Sequence, residues 1–205
     1  MNDDRKESNH EKIVTAATLL MRAAGIPERY WFTPLDTLPF RQCKISVGDT
    51  AEKCTPDVQR IALERTATKP HGQLVCIGAM PDDDCALAAA SWVLRKILIH
   101  TGAKKRNVGL VNAAWLTKGG FANAIDSDQA QNHYKRQHLP ARATGYAIYN
   151  VTMGSDNTRC QGVRDLLLEY SSPVRIVVVA GCDDPYDFCL GRLYLKPDIC
   201  CRLGG

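Results

Sequence analysis

Gln73-Leu-Val-Cys-Ile-Gly78-Ala-Met-Pro-Asp-Asp-Asp-Cys85 is the stretch whose reading decides the fold. A short apolar run meets a Gly-Pro turn and passes into an Ala- and Leu-rich amphipathic segment ending near His100, which predicts strand, turn and helix in that order. Phosphate-binding P-loops are built this way. A working one follows its first Gly with four residues and then Gly-Lys-Ser/Thr, so that backbone N–H groups, an ammonium and a hydroxyl hold phosphate and magnesium. Counted from Gly78, Asp83 stands at the second Gly, Asp84 at the Lys and Cys85 at the hydroxyl. An anion in place of the cation reverses the sign of the site. The stretch reads as a P-loop scaffold with a degenerate nucleotide site.

Upstream, Ile13, Ala17, Leu20, Met21 and Ala24 recur at helical spacing, and Gly25 and Pro27 end the run. Residues 1–10 are polar and read as frayed. A proline-punctuated aromatic segment follows, then irregular chain over 41–54. Thr55-Pro56 supplies an N-cap and a first-turn proline for a helix to about Ala67. Downstream, strands are predicted over Val108–Val111, Tyr146–Val151 and Val174–Ala180, with helices near Asn112–Leu116 and over Arg159–Tyr170. Strands separated by helices predict an α/β fold, three layers with a mostly parallel sheet and right-handed crossovers. Residues 1–28 read as an N-terminal helical extension and 29–205 as the α/β domain.

The chain has 205 residues, enough for one domain with a proper core, and a net charge of +4, too mild to demand or exclude nucleic acid. No apolar run reaches membrane-spanning length, and the polar, acid-bearing N-terminus is unlike a targeting signal, so the expected compartment is the cytoplasm. Nine cysteines occur without any Cys-x-x-Cys spacing; an odd count of this pattern reads as reduced, structural thiols, with a zinc or redox site as the alternative.

The order of features resembles the AAA+ domain of the DnaC/DnaI/IstB helicase-loader family. The resemblance runs from Ala24 to Leu203. It is carried by Gly25-Ile-Pro-Glu-Arg-Tyr, by the P-loop position at 78–85, by strand 146–151 where Walker B would sit, and by Val174–Ala180 at the sensor strand. Asp198-Ile-Cys-Cys-Arg202-Leu is similar to the arginine-finger segment. The resemblance implies a P-loop NTPase (AAA+-like) sheet in which the P-loop strand neighbours the sensor strand. Lack of the family's C-terminal lid is an expected departure, with no lid sequence following Arg202. It implies partners too: a replicative helicase or a cognate loader, single-stranded DNA, and further copies of the chain in a homo-oligomer.

The chemistry does not carry over with it. Walker B needs an aspartate for magnesium and an acid to polarise water, and the frame offers Asn150 and Val151. Gly181-Cys182 follows the fourth strand where a polar sensor residue belongs, and only Arg202 survives as a candidate finger. The expected protein is therefore a pseudo-ATPase with no cofactor and no metal, acting in DNA replication of a phage or mobile element by binding. A nucleotide-dependent loader with a nonstandard site, or a small metal- or redox-dependent enzyme, are the competing classes. Lys104, Lys105 and Arg106, with Tyr134, Lys135 and Arg136, are candidate DNA contacts, cations to track a strand and an aromatic to stack on a base. Asp82 to Asp84 would share the sheet's carboxyl edge with Asp183, Asp184 and Asp187. They either repel one another there, hold a cation or basic group between them, or serve as solvated helix-capping acids.

Overall fold

Parallel pairing follows from the alternation of strand and helix after residue 73. The computed structural model describes residues 2–47, 50–80, 84–117, 120–121, 139–140 and 142–204. Before the sheet's main strands come α1 (Asn2–Ala23), β1 (Phe40–Arg41), β2 (Cys43–Val47), β3 (Thr50–Cys54) and α2 (Pro56–Thr68). Then follow β4 (Leu74–Met80), α3 (Asp84–His100), β5 (Val108–Asn112), β6 (Leu116–Thr117), β7 (Gly120–Phe121) and β8 (Gly145–Thr152). The described chain closes with α4 (Asn157–Glu169), β9 (Val174–Ala180), α5 (Pro185–Phe188) and β10 (Ile199–Gly204). One six-stranded sheet has the order β1-β10-β4-β9-β8-β5. Its five long strands are parallel, and only the edge strand β1 runs antiparallel, to β10.

Helices cover both faces, which is why the parallel strands are apolar without interruption. Val75, Ile77 and Ala79 of β4, with Val174, Ile176 and Val178 of β9, face a core shared with α1, α2 and α3. Cys76, Val177 and Val179 point the other way, into a core with α4 and α5. Each fully buried Val or Ile of this kind contributes about 1.5–3 kcal/mol. Thr55 caps α2 as expected, its hydroxyl accepting from Val58 N–H at 3.4 Å, with Pro56 at the first position.

Three readings change. Residues 41–54 are not irregular but hold the β2–β3 hairpin, paired from Cys43↔Cys54 to Val47↔Thr50. Helix α1 begins at Asn2. The segment resembling an arginine finger is β10, an interior strand between β1 and β4. The aromatic segment after α1 forms single 3-10 turns and buries Tyr30 and Trp31, the indole N–H donating to Ile26 O at 2.8 Å. On α1, Met21 is fully buried and Ile13 and Leu20 pack against the same core, so the exposed large apolar side chain is Leu19.

Candidate functional site

Strand β4 hands the chain to α3 on one face, and β9 hands it to α5 on the other. Their adjacent carboxyl ends therefore flank a topological switch point, where open parallel sheets place ligands. The adjacency of the P-loop-position strand and the sensor-position strand is the one the resemblance implies.

The chain closes over this point with its own backbone. Gly181, at φ 68°, turns the chain back so that Gly181 N–H and Cys182 N–H both donate to Ala79 O, at 2.8 and 3.2 Å. Gly78 permits that approach, since a Cβ there would lie 2.6 Å from Cys182 O. Its lack of a side chain serves packing between β4 and the loop after β9, a role that needs no phosphate.

Each described acid at this edge is paired within the chain. Asp84, exposed at the first turn of α3, accepts from Arg29 Nη2 at 2.9 Å and from the Tyr30 hydroxyl on the same oxygen. Burial first, and the bond to Asp84 second, push the Tyr30 hydroxyl up to about 12. Asp183 is ion-paired with Arg202. Asp184 caps α5 by accepting from Asp187 N–H at 3.1 Å, and Lys44 Nζ lies 2.8 Å from Asp184 and 3.3 Å from Asp187. Partial burial raises the Asp184 carboxyl, but the bonds from Lys44 and Asp187 N–H outweigh it and leave the pKa below its ordinary value. The Lys44 ammonium is raised in turn, chiefly by its hydrogen bond to Asp184. Two of the three expected arrangements occur together: Asp184 caps a helix, and each described acid is paired with a basic side chain, Asp84 with Arg29, Asp183 with Arg202, and Asp184 and Asp187 with Lys44. Asp82 and Asp83 lie outside the described residues.

Cys85 is half-buried against the apolar core. At the Walker B position a bulge shifts the β8–β9 register between Ile148 and Val151. Asn150 takes a left-handed φ of 62° and turns to solvent, its amide donating to Asn112 Oδ1 at 3.1 Å, while Val151 fills the core. Arg202, read as a candidate finger, is held at both ends: its side chain by Asp183 and its backbone N–H by Gln59 Oε1 at 3.0 Å. The fully buried Gln59 also donates to Arg41 O at 2.6 Å and Cys54 O at 3.1 Å, tying the hairpin to the sheet.

The candidate DNA contacts sit elsewhere. Lys104 and Lys105 are exposed between α3 and β5, at the amino edge of the sheet, and Arg106 donates to Ala23 O at 2.9 Å. Tyr134, Lys135 and Arg136 lie outside the described residues. All nine cysteines are free thiols, and seven of them share the core on the α4 face. Burial foremost pushes Cys43 and Cys182 up to about 12 and Cys76 well above its usual range. Among the described residues no group of three or more His, Cys, Asp or Glu is placed to hold a metal ion, and no helix is long and apolar enough to cross a membrane.

Sequence reasoning found the acids but missed Arg29, Tyr30 and Lys44. Arg29 is 55 residues from Asp84 and Lys44 is 143 from Asp187, so no local pattern announces either pair. Compared with family models and with curated proteins, the chain matches none.

Proposed function

We propose that the chain is a non-catalytic, helicase-loader-like accessory protein of a phage or mobile element. Its P-loop-like switch point serves as an internal clasp, and it acts in replication by binding a replicative helicase, a cognate loader or single-stranded DNA. The observation that carries the non-catalytic part is the pairing of Asp84, Asp183, Asp184 and Asp187 with Arg29, Arg202 and Lys44 at the carboxyl ends of β4 and β9. A nucleotide there would meet carboxylates at the lysine position and a loop bonded to Ala79 O over its path. Val151 in the core and Asn150 turned to Asn112 supply neither a magnesium ligand nor a general base. The replication partner comes from the sequence resemblance alone; the β4–β9 adjacency is compatible with a P-loop-like sheet and says nothing of the partner.

Purified full-length chain, assayed for magnesium-dependent ATP turnover and used as bait in an extract of its host, tests both halves. The account expects no turnover above buffer and capture of a replication protein. Saturating turnover favours the nonstandard loader, and stoichiometric metal in the purified protein favours the metal-dependent enzyme; either overturns the reading.

A further inference from the structure

On the α4 face, a cavity of about 350 Å³ opens between the first turns of α4 and the π-helical turn Cys189–Leu193 that continues α5. Asn157, Gln161 and Arg164 line one wall, spaced by four and three residues and so on a single face of α4. Gly191, Arg192 and Tyr194 line the other. A Cβ at Gly191 would meet nothing within 4 Å, so the backbone there borders open space.

The electrostatics of this cavity are one-sided. Neither Arg164 nor Arg192 has a carboxylate partner among the described residues, where the ion pairs use Arg29, Lys44, Arg60 and Arg202. Among the described residues the Nε atoms of both arginines are buried without a hydrogen-bond partner, and Arg192 Nη2 donates to Ser155 O and, at 3.9 Å, to Cys160 Sγ. No acid among the described residues lines the cavity: Asp165, next to Arg164 in sequence, is not among its lining residues, and Asp156, next to Asn157, is occupied as the cap of α4, accepting from Arg159 N–H at 2.7 Å. Asp183, Asp184 and Asp187 border the adjoining cavity, which shares Gly191 and Arg192, and are paired with Arg202 and Lys44. Two arginines, whose terminal guanidinium donors suit phosphate oxygens, thus line one polar cavity. The positive end of α4 adds to the same sign.

Tyr194 supplies a second, independent feature. It adopts φ 52° and ψ 38° as the C-cap of the π-helical turn, its N–H donating to Cys189 O, a left-handed conformation that a bulky residue rarely takes, and the residue is 72% exposed. Burial does not offset that strain. The ring stands at the cavity mouth, 6.0 Å from the Arg164 guanidinium, as a platform open to stacking.

We propose that this cavity binds a nucleotide, with Arg164 and Arg192 on the phosphate, Tyr194 stacked on the base, and the side-chain amides of Asn157 and Gln161 facing polar groups of the ligand. The volume suits one small ligand. A free mononucleotide and a residue of single-stranded DNA present the same chemistry, and the site is separate from the switch point at β4.

Titration of the 15N-labelled full chain with inorganic phosphate, adenosine monophosphate and a short oligothymidylate tests it. Expected are amide shifts confined to Gln161, Arg164, Gly191, Arg192 and their neighbours, with the nucleotide binding at least about tenfold more tightly than phosphate through stacking. Arg164→Gln weakens all three ligands by about tenfold or more. Tyr194→Gly, which accepts the backbone conformation, abolishes the advantage of the nucleotide and leaves phosphate binding in place. Tighter oligothymidylate than mononucleotide at these amides identifies a polynucleotide, and the reverse a free nucleotide. Absence of shifts at millimolar ligand, shifts centred on Lys104 and Lys105, or a Tyr194→Gly chain that keeps its preference for nucleotide over phosphate overturns the proposal. The last arm decides the matter even where Arg164→Gln fails to fold.

Discussion

Arg29 Nη2 lies 2.9 Å from Asp84 Oδ1, so the segment ahead of the sheet supplies a positive charge beside the position where a phosphate-binding loop carries lysine. The pair is exposed on both sides, with side chains 66% and 56% accessible, so water screens it and it adds little on its own. The Tyr30 hydroxyl on the same oxygen adds a hydrogen bond worth about 1 kcal/mol.

Restoring lysine at this position therefore has a defined cost. Asp84→Lys sets a cation against Arg29 and removes the acceptor of Tyr30, and we expect a loss of about 1–2 kcal/mol in urea unfolding with no gain of ATP binding. Asp84→Asn keeps an acceptor oxygen and should lose less than about 1 kcal/mol. A rise in stability for Asp84→Asn would mean that repulsion among the acids outweighs the bonds to Arg29 and Tyr30.

Gly78 is constrained by the chain's own carbonyl. With only 2.6 Å between an added Cβ and Cys182 O, Gly78→Ala forces β4 from the loop after β9 and should cost about 1–3 kcal/mol. Both parts are backbone, with no flexible side chain to yield. Chemical denaturation of the variant checks this, and a change under about 0.5 kcal/mol would show that the loop is not held against β4.

Lys44 holds Asp184 in its ionised form. A carboxyl whose folded pKa is depressed adds stability above its unfolded value of about 3.9, and loses it as pH falls through the folded value. Lys44→Met removes the part of the lowering that comes from Lys44, while the Asp187 N–H bond and the burial that raises Asp184 remain. The Asp184 titration, followed by carboxyl NMR, should move up, and acid unfolding should begin at higher pH. An unmoved titration would show that Lys44 does not engage the mouth in solution.

The buried thiols give the alkaline limb the opposite sign. Cys43 and Cys182 have folded values near 12, raised above an unfolded thiol near 8.5, so their contribution is complete below the unfolded value and is lost as pH rises toward the folded one. Under reducing conditions the unfolding free energy from urea titration should fall from about pH 8.5 upward, by as much as about 1.4 kcal/mol per pH unit for each such thiol. Cys182→Ala should flatten part of that slope. A midpoint level through pH 10 or so would place these thiols in contact with water.

The legible parts of the fold were those whose signal is local. The β-branched run 174–180 is β9 to the residue, and Thr55-Pro56 opens α2 through a hydroxyl three residues from its partner. The hairpin 43–54 was missed although its two strands flank Gly48-Asp49, a dipeptide that two-residue hairpin loops favour. Strand β10 carries no local strand signal, because Cys200 and Cys201, buried on opposite faces, leave no polar alternation to see. The candidate site was half legible: the acids stand together in sequence, but what answers them arrives from Arg29, Lys44 and Arg202, and tertiary contact alone reveals those partners.

Amide hydrogen exchange with and without millimolar magnesium ATP tests most directly whether the mouth between β4 and β9 is closed by the chain itself. The account predicts unchanged exchange over residues 74–80, 84–88 and 181–184, irrespective of any protection at 157–164 and 191–194. Slowed exchange at 78–80 and 181–184 on adding the nucleotide would contradict it, because ATP would then occupy the position that the Gly181 and Cys182 amides, Arg29, Lys44 and Arg202 hold shut.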